Sequence, residues 1–130
     1  MGEIVMATWN DIKYFKEVEF EQKGLAGSGN GMDMEFVAAL DVLRGELGRP
    51  IVITSGYRTA EYNKGVGGSS DSAHIRGLAA DIKCIDSGTR AQIILAWLKM
   101  GHLVTRIGIG NTFVHLDLDP KLPNNVIWTY

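Results

Sequence analysis

The chain has 130 residues, the usual length of one domain with its own hydrophobic core. Its net charge of −2 provides no basic field for nucleic acid, and no stretch approaches the ~20 apolar residues of a membrane span. The single cysteine, Cys84, excludes an internal disulfide. We therefore expect one domain over residues 1–130, a monomer without a nucleic-acid partner and without membrane insertion.

The first half of the chain predicts a loop, a long helix and a strand. Four glycines between residues 24 and 31 favour a loop. Apolar residues at the 3.6-residue helical spacing predict an amphipathic helix over residues 33–47, with Asp33 as its N-cap. The β-branched run at residues 51–54 predicts a buried strand.

The second half predicts strands alternating with helices. The predicted elements are a short helix at 59–64, strands at 78–83, 107–109, 112–118 and 126–128, and a helix at 88–100 with Ser87 as N-cap. The turn at residues 110–111 joins two strands too tightly for a parallel crossover. These features predict an α+β fold, in which helices pack on a mainly antiparallel sheet.

Three residues of the second half have the chemistry of metal ligands. His74 and Asp81 lie close together in the sequence, and His115 lies well downstream. A catalytic zinc ion needs three protein ligands and keeps one position open for water, whereas structural zinc prefers four Cys or His ligands. Two histidines and one carboxylate therefore predict a zinc hydrolase. Cys84, which has no motif around it, is expected to be an inert buried thiol, and His102 a surface or helix-terminal residue.

Three motifs in this order resemble the zinc D-alanyl-D-alanine peptidase family. They are Ser-Gly-Tyr-Arg at 55–58, Ser-x-His-x-x-Gly-x-Ala-x-Asp at 72–81 and Phe-Val-His-Leu-Asp at 113–117. That family includes D,D-carboxypeptidases and bacteriophage peptidoglycan endopeptidases, and it shares its fold with the hedgehog signalling domain. The resemblance implies zinc bound by His74, Asp81 and His115, and peptidoglycan stem peptides as substrates.

Two further residues match substrate-binding positions of the family. The resemblance implies that Arg58 binds a carboxylate of the peptide, and a guanidinium fork suits that task. The alternative for Arg58 is a structural ion pair that closes the turn. Ser72 matches a serine that helps to hold the substrate, and its alternative is a hydroxyl that caps the loop.

The general base is the point at which this sequence departs from the family. Several members place a glutamate three residues before the third ligand, where this chain has Thr112. Asp117 stands two residues after His115, so strand alternation puts both side chains on one face of the sheet. Asp117 is therefore predicted to be the catalytic base. The open alternative is a carboxylate that orients a zinc-binding imidazole.

The expected activity is zinc-dependent hydrolysis of a peptide bond next to a D-amino acid in peptidoglycan. The alternative is a non-catalytic, zinc-containing binding module of the same fold, which binds the cell wall or a protein partner. Residues 1–10 lack the charged and apolar pattern of a secretory signal. We therefore expect synthesis in the cytoplasm, and the resemblance to phage-type members of the family implies a phage or prophage protein that reaches the wall by another route.

Overall fold

The computed structural model describes residues 7–130 and consists of helices packed on one sheet. The helices are α1 (Met34–Leu47), α2 (Ala60–Gly65) and α3 (Ser87–Lys99). The strands are β1 (Ile53–Ser55), β2 (Ala79–Lys83), β3 (Arg106–Ile109), β4 (Phe113–Asp117) and β5 (Val126–Thr129). Short 3₁₀ turns lie at Trp9–Asp11, Glu17–Phe20 and Ser28–Gly31, the last of them inside the predicted glycine loop. The predictions for the single domain and for residues 1–10 extend over residues 1–6, which lie outside the described residues.

The five strands form one sheet in the order β1-β2-β4-β3-β5. Neighbouring strands are antiparallel except for β3 and β5, which run parallel. The predicted α+β fold with a mainly antiparallel sheet is thus confirmed. Between residues 7 and 130, no helix has the length and apolar character that crossing a membrane requires.

The N-cap prediction is correct for α1 and one residue too late for α3. Asp33 Oδ1 accepts a hydrogen bond from Phe36 N at 3.0 Å, so Asp33 is the N-cap of α1, as predicted. The N-cap of α3 is Asp86, whose Oδ2 accepts from Thr89 N at 2.8 Å. The prediction of Ser87 was wrong because Asp86 has the extended backbone of a cap, and Ser87 already lies in the helix.

The core lies between the helices and one face of the sheet. It is formed by Phe36 and Leu40 of α1, Ile93 and Trp97 of α3, and Ala80, Ile82, Val114 and Leu116 of β2 and β4. The predicted buried strand at 51–54 is found as β1 at Ile53–Ser55, an edge strand that is not buried, and Val52 just before it is 55% exposed. Strand alternation turns the other side chains of β2 and β4 to the opposite face of the sheet.

Candidate active site

The structure brings His74, Asp81 and His115 together on the face of the sheet opposite the core. One ligand atom from each residue lies within 4.8 Å of the other two, so this cluster could hold a metal ion. The cluster lines a cleft of about 520 Å³. Two histidine nitrogens and a carboxylate oxygen match the ligand types that zinc prefers, and three ligands rather than four leave a coordination position for water.

Strand register and one tight turn place the three residues. Asp81 of β2 lies directly opposite His115 of β4, so their side chains are neighbours on one face. His74 precedes β2 in a turn in which Gly77 N donates to His74 O at 3.2 Å. Gly77 has a φ of 70°, and a Cβ at this position would collide with the backbone of Gly31. Glycine is therefore required for the turn that carries His74 to the cluster.

Hydrogen bonds fix which nitrogen of each imidazole faces the cluster. His74 Nδ1 lies 2.8 Å from the carbonyl oxygen of Gly56, which can only accept, so this nitrogen carries the proton. His74 Nε2 then faces Asp81 Oδ1 at 3.4 Å. His115 Nε2 donates to Asp117 Oδ2 at 2.7 Å, and His115 Nδ1 lies 2.9 Å from Asp81 Oδ1. Partners on the outer nitrogens commonly orient metal-binding histidines in this way.

The electrostatics of the cluster favour positive charge at its centre. Burial raises the pKa of the Asp81 carboxyl, but hydrogen bonds and charges from His115 and His74 outweigh burial and hold that pKa well below its usual range. Burial lowers the pKa of His115, but its hydrogen bonds to Asp117 and Asp81 outweigh burial. The pKa of His115 is therefore above its usual value. A proton or a metal cation can supply the charge that the two carboxylates stabilise.

Asp117 is buried, and both of its oxygens have donors. Besides its bond with His115, Asp117 accepts from Arg106 Nε at 2.9 Å and from Asp119 N at 3.1 Å, and its exposure is 0%. Asp119, two residues further along the chain, is also buried and accepts from Arg76 Nε at 2.6 Å. Asp117 thus contacts the candidate metal-binding residues through the outer nitrogen of His115.

Arg58 lies at the cleft with its guanidinium held in place. Its Nε donates to Ser55 Oγ at 3.0 Å, its Nη1 to Asn63 Oδ1 at 3.1 Å, and its Nη2 lies 3.6 Å from Asp81 Oδ2. Asn63 is 1% exposed, and its Nδ2 donates to Ser69 O at 2.6 Å. Asn63 therefore connects Arg58 to the loop between α2 and β2, which forms part of the cleft wall.

The remaining sequence candidates differ in position. Ser72 lines the cleft, and its Oγ accepts from His74 N at 3.2 Å, which leaves the hydroxyl proton free to donate. Thr112 is exposed and does not line the cleft. Cys84 is buried and also lies outside the cleft lining.

Sequence reasoning missed Asn63, Arg106, Trp128 and Tyr130. Arg106, Trp128 and Tyr130 all line the cleft, and Arg106 lies with its guanidinium carbon 5.0 Å from the Trp128 ring centroid. The alternation of β5 does place Trp128 and Tyr130 on one face. No local pattern, however, identifies β5 as the neighbour of β3.

A two-histidine, one-carboxylate cluster in an open cleft on an α+β sheet defines a candidate metallohydrolase. Residues 13–117 match the family model described as Peptidase M15, and the chain belongs to that family of metal-dependent peptidases. This match confirms the resemblance that the three motifs indicated. A search of curated proteins found no match. Strand β5, with Trp128, lies beyond the matched range.

Proposed function

We propose that this peptidase is zinc-dependent and cleaves a peptide bond next to a D-amino acid in peptidoglycan stem peptides. It would act as a D,D-carboxypeptidase or as an endolysin-type endopeptidase. The observation that carries the proposal is the convergence of His74, Asp81 and His115 in a cleft that also contains Arg58. We further propose that the chain acts as a monomer and is a phage or prophage protein delivered to the cell wall.

His74 Nε2, a carboxylate oxygen of Asp81 and His115 Nδ1 would hold the zinc ion. When bound, zinc would polarise the scissile carbonyl group and lower the pKa of water at the site. Hydrogen bonds from the outer nitrogens to the Gly56 carbonyl and to Asp117 would hold the two imidazoles in the tautomers that such binding needs.

Arg58 is proposed to anchor a carboxylate of the peptide. A guanidinium pairs with a carboxylate as a fork, and this pairing needs a fixed plane. Ser55 and Asn63 supply that fixed plane through their bonds to Nε and Nη1. Nη2 remains turned toward the cluster, where it lies 3.6 Å from Asp81. The charge of Arg58 is therefore presented beside the proposed zinc position.

Ser72 is proposed to donate a hydrogen bond to the substrate. A hydroxyl has one donor and two acceptor positions. The bond from His74 N uses one acceptor, so the capping role and the substrate-binding role are compatible.

For Asp117, the contacts favour the positioning role over the general base. A base must reach the attacking water, whereas the two oxygens of Asp117 already accept from His115, Arg106 and Asp119 N. We therefore propose that Asp117 orients His115 and stabilises its Nε2–H tautomer. The role of Asp117 as general base remains a prediction, and substitution of Asp117 tests it.

The second candidate function is a zinc-containing binding module of the same fold. Two observations favour it: Thr112 stands where several family members have a glutamate, and Asp117 is engaged by three donors. Such a module would bind peptidoglycan and leave it intact.

Digestion of purified cell walls tests the two functions. With zinc, the wild-type protein should release peptides or D-alanine that mass spectrometry identifies, and a chelator should stop the release. His115→Ala should be inactive, whereas His102→Gln, a histidine outside the cleft lining, should behave like wild type. Binding to walls without any new product, at saturating zinc, would overturn the peptidase and support the binding module.

A further inference from the structure

An aromatic surface forms one side of the cleft. Phe113 of β4, Trp128 of β5 and Tyr130 just after it form this surface, named here the aromatic wall. Ring centroids lie 4.9 Å apart for Phe113 and Tyr130 and 6.4 Å apart for Trp128 and Tyr130, within the usual range of aromatic pairs. Tyr130 is nonetheless 70% exposed. The wall therefore presents ring surface to whatever occupies the cleft.

Gly108 allows the aromatic wall to lie close to the cluster of His74, Asp81 and His115. In the register of the sheet, Gly108 of β3 pairs with His115 on one side and with Trp128 on the other. A Cβ at Gly108 would lie 2.9 Å from atoms of Trp128 and of Tyr130, closer than real contacts allow. Because glycine has no side chain, the Trp128 ring extends across β3 to 5.3 Å from the His115 ring, between centroids. The wall thus begins directly beside a proposed metal ligand.

Trp128 of the aromatic wall and Arg58 lie on opposite sides of the cluster. Arg58 follows β1, one edge of the sheet, and contacts Asp81 of β2. Trp128 belongs to β5, the other edge, and contacts His115 of β4. A peptide whose carboxylate pairs with Arg58 therefore extends its other end, the acyl side of the scissile bond, toward the wall.

The wall offers apolar ring surface rather than a free charge. Arg106 lies over the Trp128 ring, but its Nε is bound to Asp117 and its Nη1 donates to Pro123 O. An anionic group would therefore compete with partners that Arg106 already has. An aliphatic side chain, by contrast, loses water-exposed area on both surfaces when it packs on these rings.

We propose that the aromatic wall is a specificity subsite. It would bind the long, apolar part of a substrate side chain on the acyl side of the scissile bond. This inference rests on the proposed peptidase function and adds a substrate feature that the metal cluster and Arg58 do not select. Tyr130 is the residue proposed to determine this specificity, because its ring contacts both other members of the wall, Phe113 and Trp128.

Two peptides that share the cleaved bond test the subsite by kinetics. They carry either Nε-acetyl-lysine or glycine on the acyl side of that bond. Wild type should prefer the lysine peptide in kcat/KM, and Tyr130→Ala should reduce this preference by about 2- to 10-fold through KM, the effect of losing one aromatic contact. Ile127→Ala is the matched control, since Ile127 is 54% exposed on the opposite face of β5. An unchanged preference in Tyr130→Ala would overturn the proposal.

A binding measurement keeps this test separate from catalysis. The chain has three tryptophans, so three indole N–H signals can be assigned in NMR spectra with single Trp→Phe variants. Adding diacetyl-lysyl-D-alanyl-D-alanine should shift the Trp128 signal and leave those of Trp9 and Trp97 in place. A larger Trp128 shift with this peptide than with its glycine counterpart would support the side-chain subsite even if wall digestion released no product. No shift of Trp128 at saturating peptide would overturn it even if hydrolysis were found.

Discussion

Asp117 Oδ2 lies 2.7 Å from His115 Nε2, the ring nitrogen that points away from the other two proposed metal ligands. Arg106 and Asp119 N engage the second oxygen of Asp117, so the carboxylate cannot rotate without losing these bonds. We therefore propose that Asp117 orients His115 and, with a metal at Nδ1, keeps the proton on Nε2. This relationship gives a direct way to separate a positioning carboxylate from a general base.

Asp117→Asn should weaken zinc binding by about 10- to 100-fold, because the amide holds the His115 Nε2–H less strongly than a carboxylate does. Excess zinc should then restore activity. If Asp117 is instead the general base, zinc should remain bound and the rate should fall by about 10²–10⁴-fold at every zinc concentration. The measurement is hydrolysis against added zinc for this variant and wild type. An unchanged rate together with unchanged zinc affinity would contradict both roles.

The purified protein should bind about one zinc ion per chain, because its candidate cluster offers one set of three ligands. His115→Ala should lose most of this zinc, since two ligands remain. Elemental analysis after dialysis checks both values. His102→Ala, which removes a histidine outside the cluster, serves as the control. Full zinc occupancy in His115→Ala would show that the assigned site is wrong.

Arg58→Ala should weaken binding or turnover of the substrate by roughly 1.5–3 kcal/mol, the range for a charge-assisted hydrogen bond. Arg58→Lys should recover only part of this loss, because an ammonium group cannot pair as a fork. Asn63→Ser should also weaken substrate binding and raise KM, since Arg58 Nη1 loses its orienting partner. Steady-state kinetics with one peptide measures all three. Equal KM and kcat in wild type and variants would remove Arg58 from the site.

His102 should make the fold sensitive to mild acid. Burial beside Trp97, with ring centroids 4.3 Å apart, lowers the pKa of His102 below its usual value. The unfolded chain then binds this proton more readily than the folded one, so stability is retained above about pH 6.5 and is lost as the pH falls toward the folded pKa. The Tm of wild type should therefore fall more between pH 8 and pH 5.5 than that of His102→Gln. Parallel Tm curves would contradict this role.

The sequence by itself determined the parts of this protein that depend on local spacing. Helical periodicity and the carboxylate of Asp33 correctly predicted the start of α1. Asp33 is its N-cap, and the helix begins at the next residue. Strand alternation put His115 and Asp117 on one face of β4. Three short motifs also identified the family, which the match over residues 13–117 confirmed.

Only the tertiary structure decided which distant residues meet. The β-branched run at residues 51–54 has the composition of a central strand, but β1 (Ile53–Ser55) lies at the edge of the sheet, and Val52 just before it is 55% exposed. The contact of Trp128 with His115 requires both the strand order β4-β3-β5 and the missing side chain of Gly108 between them. Strand order depends on the packing of the whole chain, whereas hydrophobic periodicity reports only which face of its own element a residue occupies.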